Sequence, residues 1–405
     1  MASPVNRLRR LAWRGLALLP APVREVTTLP VRRRADVELR ALAPMPTADR
    51  RLYLGPWNTA GQAYAWARAA ERHLPGVAAQ NLVAHRAATA GSFRYPADHE
   101  MSALAQRGHV REIHGARVLR EATHVVLESG RPVLGDLHAG SMLADVPTLE
   151  AAGIRHAVLY HGSEIRDLRG HAEAYAHSPF HGPWDDYLRT LQAVVDRNRR
   201  ELADYAGPVL VSTPDLLDVL PGATWLPLVV EVERFAEAAG APVLARPRPV
   251  VLHAPSNPRL KGTDAVERVL EGMQSAGLVE YRRLTGVPHA QMAAFVGDAD
   301  VVVDQVVLGN PGVLLAETLA AGRLAVAHLA PGVRDRMAQA DREHGGDGVV
   351  PVLDADPDTL EEVLRRVLED RGRHTGLAAR GPAWARRHHD GAHAAEVLDR
   401  VLLST

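Results

Sequence analysis

"ADVVVDQVVLGNPGVLLAETLAAG", residues 299–322, holds an apolar run at 299–307, then a turn with two glycines and a proline, then an apolar stretch at 312–321. The run reads as a strand and the last part as a helix, and together they make one βα unit of a parallel sheet. In such sheets a ligand sits beyond the carboxyl ends of the strands. The loop at 308–312 is therefore where a bound group would meet backbone N–H groups of the following helix.

The same unit recurs on both sides. Downstream and upstream of it, 249–256, 279–286, 323–330 and 348–353 read as strands, with helices expected at 263–276, 289–297, 333–343 and 357–370. Nearer the N-terminus, 50–56, 131–139, 155–162 and 207–213 read as strands, and 61–74 and 185–206 as helices. The segment 221–250 is proline-rich and has little period, which marks a linker. The expected fold class is α/β: two tandem Rossmann-like, doubly wound domains with a cleft between them. The expected organisation is a basic N-terminal extension with a short helix (1–48), a first domain (49–228), a linker (229–248), a second domain (249–380) and a C-terminal helix (381–405).

Composition excludes several classes. A content of 46% hydrophobic and 23% charged residues is that of a globular protein with a sizeable core. The formal net charge of −1 gives no reason to expect a nucleic-acid partner. There is no cysteine, so disulfides and Cys-ligated metals are excluded, and a reducing, cytoplasmic setting is expected. No apolar run reaches the ~18 residues of a membrane span. Residues 1–40 carry nine arginines, and "RLRRLAWRGLALLP" (7–20) reads as a basic amphipathic helix. Peripheral contact with the inner face of a membrane is one reading of it, and a helix packed on the body or a frayed extension is the other.

Of 47 basic Lys and Arg residues, a single one is lysine, Lys261. It lies in "PSNPRLKGTDAV" (255–266), after a strand and before a helix expected to be capped by Thr263 or Asp264. A compact ammonium on a flexible stem fits a phosphate pocket that a planar guanidinium would overfill. Gly312 allows close backbone approach at the 312–321 helix, and Glu317 is placed to accept from ribose hydroxyls. His289 in "LTGVPHAQM" (284–292) is a candidate neighbour of a base. In the first half, Gly61 precedes a helix, Asp136 and His138 lie in "GDLHAGSML", and His161, Ser163, Glu164 and Arg166 lie in "YHGSEIRD". These are the candidates for the acceptor side and for acid–base work. The two Asp-Ala-Asp triplets (298–300, 354–356) read as caps, so no metal is expected with a diphosphate, and "RRHHDGAH" (386–393) matches no common zinc spacing.

With "RLKG" (259–262), "GVPHAQM" (286–292) and the 299–322 unit, the chain resembles a GT-B glycosyltransferase of family 4, the "glycosyl transferases group 1" type. The likeness implies a nucleoside-diphosphate-sugar donor, no other cofactor, and a retaining, metal-independent transfer to an acceptor hydroxyl in glycan biosynthesis. The acceptor is unknown: a glycan, a lipid or a small molecule. It implies that Lys261 meets the donor phosphates, the amides of Gly312 and Val313 the diphosphate, and Glu317 the ribose, with His138 near the donor sugar. An inverting reaction would need a base, with Asp136, His138 and Glu164 as candidates. Two positions depart from the family pattern. Gly309, followed by Asn310, stands eight residues before Glu317 where a glutamate is common, and Arg259 is two residues before Lys261 rather than about five. A nucleotide-sugar epimerase and a non-catalytic binding subunit are the alternatives.

Overall fold

The computed structural model describes residues 20–404, apart from scattered positions between 21 and 38 and residues 86–94, 103–108, 136, 137 and 139. The basic helix of residues 7–20 and Asp136 therefore lie outside the described residues, Pro20 excepted.

Two parallel sheets form the α/β fold expected from the sequence. The first contains β1 (Arg50–Gly55), β2 (Val77–His85), β3 (His99–Ser102), β4 (His124–Glu128), β5 (Arg155–Tyr160), β6 (Val209–Val211) and β7 (Thr224–Trp225), in the order β3-β2-β1-β4-β5-β6-β7. The second contains β8 (Val250–His253), β9 (Glu280–Arg283), β10 (Val301–Val303), β11 (Leu324–Ala327) and β12 (Val352–Asp354), in the order β12-β11-β10-β8-β9. Register is set by buried runs: Val251 of β8 faces Val301 on one side and Tyr281 on the other. β4, β8, β10 and β11 are buried at every residue, as strands covered by helices on both faces must be. Strand order reverses between β1 and β4 in the first sheet and between β8 and β10 in the second, and each reversal opens a crevice at the carboxyl ends.

Residues 131–135 of the expected strand 131–139 are not a strand. Buried Asp145 takes the N–H groups of Val133 and Leu134 at 2.8 and 2.9 Å, which removes the donors that a sheet ladder needs. The strand of this region is β4, whose "HVVLE" is short and bracketed by polar residues.

The expected C-terminal helix is broken. Helices Gly381–His389 and Ala392–Leu398 are separated at Gly391, whose φ of 106° lies in the left-handed region. A Cβ on Gly391 would also stand 2.8 Å from that of Ala69, so the turn presses directly on the Gln62–His73 helix of the first domain. Beyond this turn the chain joins the other domain: Ala394, Val397, Leu398 and Leu402 pack with Leu52, Leu54 and Trp66. Asp399 Oδ1 accepts from Arg50 at 2.7 Å. Inside the expected linker, Val232–Glu237 forms a helix, and Gln62 holds the segment by exchanging two hydrogen bonds with the Val229 backbone. No helix among the described residues is long and apolar enough to cross a membrane.

Leu398 is fully buried in this first-domain core. Leu398→Ala is expected to lower stability by about 2–5 kcal/mol. Urea denaturation checks this, and a change under about 0.5 kcal/mol would mean that the C-terminal helix does not stabilise the first domain.

Candidate active site

The two sheets face each other across an open cleft, lined from the first domain by Thr59, Ala60, Gln62, Tyr95, His161 and Ser212–Thr213. The second domain contributes Ser256, Lys261, His289 and the run Asn310–Leu314, with Glu317 beneath it. Apart from Tyr95, these segments follow strands or stand at helix starts, as the two crevices require.

Lys261 is organised by Asp304, the residue after β10. Its ammonium donates to Asp304 Oδ1, and Asp304 is 1% exposed with Oδ2 lacking any hydrogen-bond partner. Lys261 ends a helical turn, Pro258–Lys261, whose cap is Asn257, with its side-chain oxygen accepting from the Leu260 N–H. The cap of the next helix, Thr263–Ser275, is Gly262 rather than Thr263 or Asp264. Gly262 has φ 70°, and a Cβ there would stand 2.7 Å from both Val306 and Val307. Gly312 lies against the ion pair: a Cβ would be 2.5 Å from Asp304 Oδ2 and 2.9 Å from Lys261 Nζ. Its φ of −106° is ordinary, so space and not backbone strain demands glycine. The Val313–Ala320 helix starts here, and its first N–H groups have no intrahelical acceptors. One ammonium and one helix N-terminus thus converge on a single edge of the cleft, where an anion gains from both.

Glu317, in the second turn of this helix and 3% exposed, accepts from His289 Nε2 at 2.5 Å. Burial pushes its carboxyl up, against the opposing pull of His289. The His289 ring packs on Tyr95 with centroids 4.6 Å apart. Tyr95 also fills the space left by Gly61: a Cβ at 61, where φ is 77°, would meet the tyrosine ring at 2.8 Å. Gly61 therefore serves the approach of Tyr95, and it is Thr59, Ala60 and Gln62 around it that line the cleft.

Across the cleft, His161 follows β5. Its ring lies near-parallel to Trp66 at 5.7 Å, and Nε2 is 2.7 Å from Glu128 Oε1. Glu128 ends β4 and is fully buried, it also accepts the Thr59 N–H at 3.1 Å, and its Oε2 has no partner. Burial pushes His161 toward the neutral form, yet the hydrogen bond and charge of Glu128 outweigh this and raise its pKa.

Several expected residues stand elsewhere. His138 does not line the cleft; its ring nitrogens are held by two residues of the Met142–Ala151 helix, Asp145 at 3.0 Å and Thr148 at 3.2 Å. Glu164 takes the His161 N–H at 2.6 Å and a bond from Ser129, closing the loop after β5 without facing the cleft. Ser163 is not a lining residue either. Arg166 is buried and paired with Asp215 at 2.5 Å. Arg259 bridges the domains instead, donating to Asp185 at 2.8 Å and to the Pro179 carbonyl at 3.0 Å. Gly309 has φ 72° and faces Ala330, while Asn310 beside it lines the cleft. Asp304, Glu128, Tyr95, Ser212, Thr213 and Ser256 escaped the sequence reading. For Asp304 and Glu128 a signal existed: each is a lone acid at the end of an apolar strand.

A histidine with a raised folded pKa stabilises the fold below its unfolded value of about 6.5, and that contribution is lost as pH rises through the folded value. Glu128→Gln is expected to remove it and to move His161 below the ordinary histidine value, as burial alone dictates. An NMR titration of the His161 ring in both proteins checks this; equal midpoints would show that Glu128 does not set its charge.

No family model matches the chain, and no curated protein matches it in sequence. Solved structures do. Sucrose-phosphate synthase from Thermosynechococcus elongatus is similar at TM-score 0.54 and 13% identity, over 87% of this chain and 98% of that one. HepE from Anabaena, in complex with UDP, is similar at TM-score 0.52 and 13% identity, over 88% of this chain and 100% of that one. An α-glucosyltransferase in complex with UDP and mismatched DNA is similar at TM-score 0.52 and 9% identity, with 88% and 100% covered. At such identities the likeness speaks to architecture, and with the two opposed parallel sheets it shows that this chain has the GT-B glycosyltransferase fold.

Proposed function

We propose that this protein is a glycosyltransferase that moves a sugar from a nucleoside-diphosphate sugar to an acceptor hydroxyl. The observation that carries the reading is the convergence of Lys261, Gly312 and the Val313–Ala320 helix start on one edge of the cleft, with Glu317 in the same cavity. When the anomeric bond breaks, charge grows on the leaving diphosphate, and a fixed ammonium and oriented N–H groups stabilise that charge more than the ground state. Glu317 and His289 would hold the ribose and base side, and His161 and Asn310 would face the sugar from opposite walls. The acceptor would enter against the first domain. The solved complexes of HepE with UDP and with UDP-glucose support a uridine donor as the first to test.

The retaining, metal-independent course is favoured by the lining of the cleft. Glu317 is the one carboxylate among its described residues, and His289 engages it. A retaining transfer needs no protein base, because the departing phosphate takes the acceptor proton. An inverting one needs a base within about 3 Å of the acceptor hydroxyl.

A second reading, a non-catalytic donor-binding subunit, is favoured by Gly309. Its left-handed φ and the 3.1 Å approach of Ala330 would strain the glutamate that the family pattern has there. UDP release from UDP-glucose across an acceptor panel separates the two readings: turnover supports transfer, and binding without turnover supports the subunit.

Removing Lys261 alone strands a buried carboxylate, so the binding test uses Lys261→Arg and the paired Lys261→Met/Asp304→Asn. Both are expected to weaken UDP by tenfold or more, in line with ~1.5–3 kcal/mol for a charged hydrogen bond. Calorimetry checks this, and unchanged affinity in the paired variant would remove the diphosphate role.

A further inference from the structure

We propose that His344, His388 and His393 form a binding site for a divalent transition-metal ion, zinc above others, far in sequence from the cleft residues and independent of the donor site. The three imidazoles come from three elements: the end of the Pro331–Glu343 helix, the Gly381–His389 helix and the Ala392–Leu398 helix. One ring nitrogen of each lies within 4.8 Å of those of the other two. Tetrahedral zinc with Zn–N of about 2.0–2.1 Å places its ligands roughly 3.3 Å apart, so the rings would have to draw together on binding.

Hydrogen bonds prepare the rings for this. His388 Nε2 lies 3.0 Å from Asp341 Oδ1, and a carboxylate only accepts, so the proton is on Nε2 and the lone pair on Nδ1. Asp341 is fully buried and is itself held by the Gly348 N–H and Arg387. A carboxylate behind a metal-binding histidine is the arrangement that fixes the tautomer and raises ligand basicity. His344 Nδ1 donates to the Ala340 carbonyl at 2.8 Å, which leaves its Nε2 as the lone-pair nitrogen. His393 Nδ1 is buried with no hydrogen-bond partner, a cost that a bound ion offsets. The adjacent His389 is turned away and holds the Leu228 carbonyl.

The donor set selects the metal. Three imidazoles, with Arg400 adding positive charge near His393 and the one buried carboxylate already paired with Arg387, offer coordination bonds rather than net negative charge. That suits zinc, nickel or copper and disfavours calcium and magnesium. The fourth position is open to water. His388 and His393 flank Gly391, where the chain leaves the second domain for the core of the first, so an ion here would lock the angle of that crossover.

The test uses untagged full-length protein, stripped with chelator and titrated with zinc chloride by calorimetry, with thermal melts alongside and cobalt substitution as a spectroscopic reading. The expected result is one zinc per chain at a Kd of about 10 µM or tighter, a Tm rise of about 5 °C at saturation, and the strong visible bands of four-coordinate cobalt. His393→Ala and, separately, His344→Ala should each lose at least tenfold in affinity and the zinc-induced Tm rise, while His393→Ala melts like wild type in chelator. Saturable zinc binding of equal strength in wild type and in either variant would overturn the proposal, as would no saturable binding in wild type. If His393→Ala does not fold, His344→Ala alone decides.

Discussion

Asp304 is a carboxylate buried at the end of the middle strand of the second sheet, and a charge so placed must be matched. Lys261 matches it, and the neighbourhood is built around that match. Gly262 turns left-handed so that the ammonium-bearing turn can lie on Val306 and Val307, and Gly312 omits a side chain so that the next helix can start against the pair. Breaking one half of such a buried pair costs about 3–5 kcal/mol. The same contact leaves the Lys261 side chain 17% exposed at the cleft, able to meet a second anion without moving far. An arginine carries its charge on a wider planar group, and the backbone of Gly312 lies close against the ion pair, which favours the compact ammonium. This is a physical reason for one lysine among 46 arginines, the remainder of 47.

The cleft is held from two sides. The C-terminal chain crosses at Gly391 and completes the first domain's core, so the last helices tie the second domain to the first. On another side, Leu260 and Leu308 of the second domain pack on Leu168, Phe180 and Leu188 of the first. Around this contact lie the Arg259–Asp185 and Arg336–Asp218 pairs and the bond from His171 to the Leu308 carbonyl. The His171 ring, buried here, is pushed down to about 4 and stays neutral. Arg259 is thus spent on joining the domains.

The fold was legible where apolar runs were unbroken and ended in glycine-rich turns, as at 299–322. It was misread at 131–139, where Val133 and Leu134 are apolar because they are buried, while their N–H groups go to Asp145 rather than to a strand. Lys261, Gly312 and Glu317 stood out because each occupies a position with a local signature. Their partners did not: Asp304 meets Lys261 across 43 residues, Glu128 meets His161 across 33, and His289 meets Glu317 across 28. Likewise the run 386–393 has no metal spacing by itself, since the third histidine, His344, precedes it by more than forty residues and joins it only through helix packing. Sequence pattern shows strand ends; which strand ends meet is decided by the order of the sheets.

The single lysine offers the most direct test of the central claim. Protein labelled with nitrogen-15 at lysine alone carries one side-chain ammonium signal, that of Lys261, and no assignment is needed. Titration with UDP should shift that signal saturably, and uridine at the same concentrations should leave it in place, because only the diphosphate reaches the ammonium. A signal that stays fixed while UDP binds would place the diphosphate elsewhere and contradict the account.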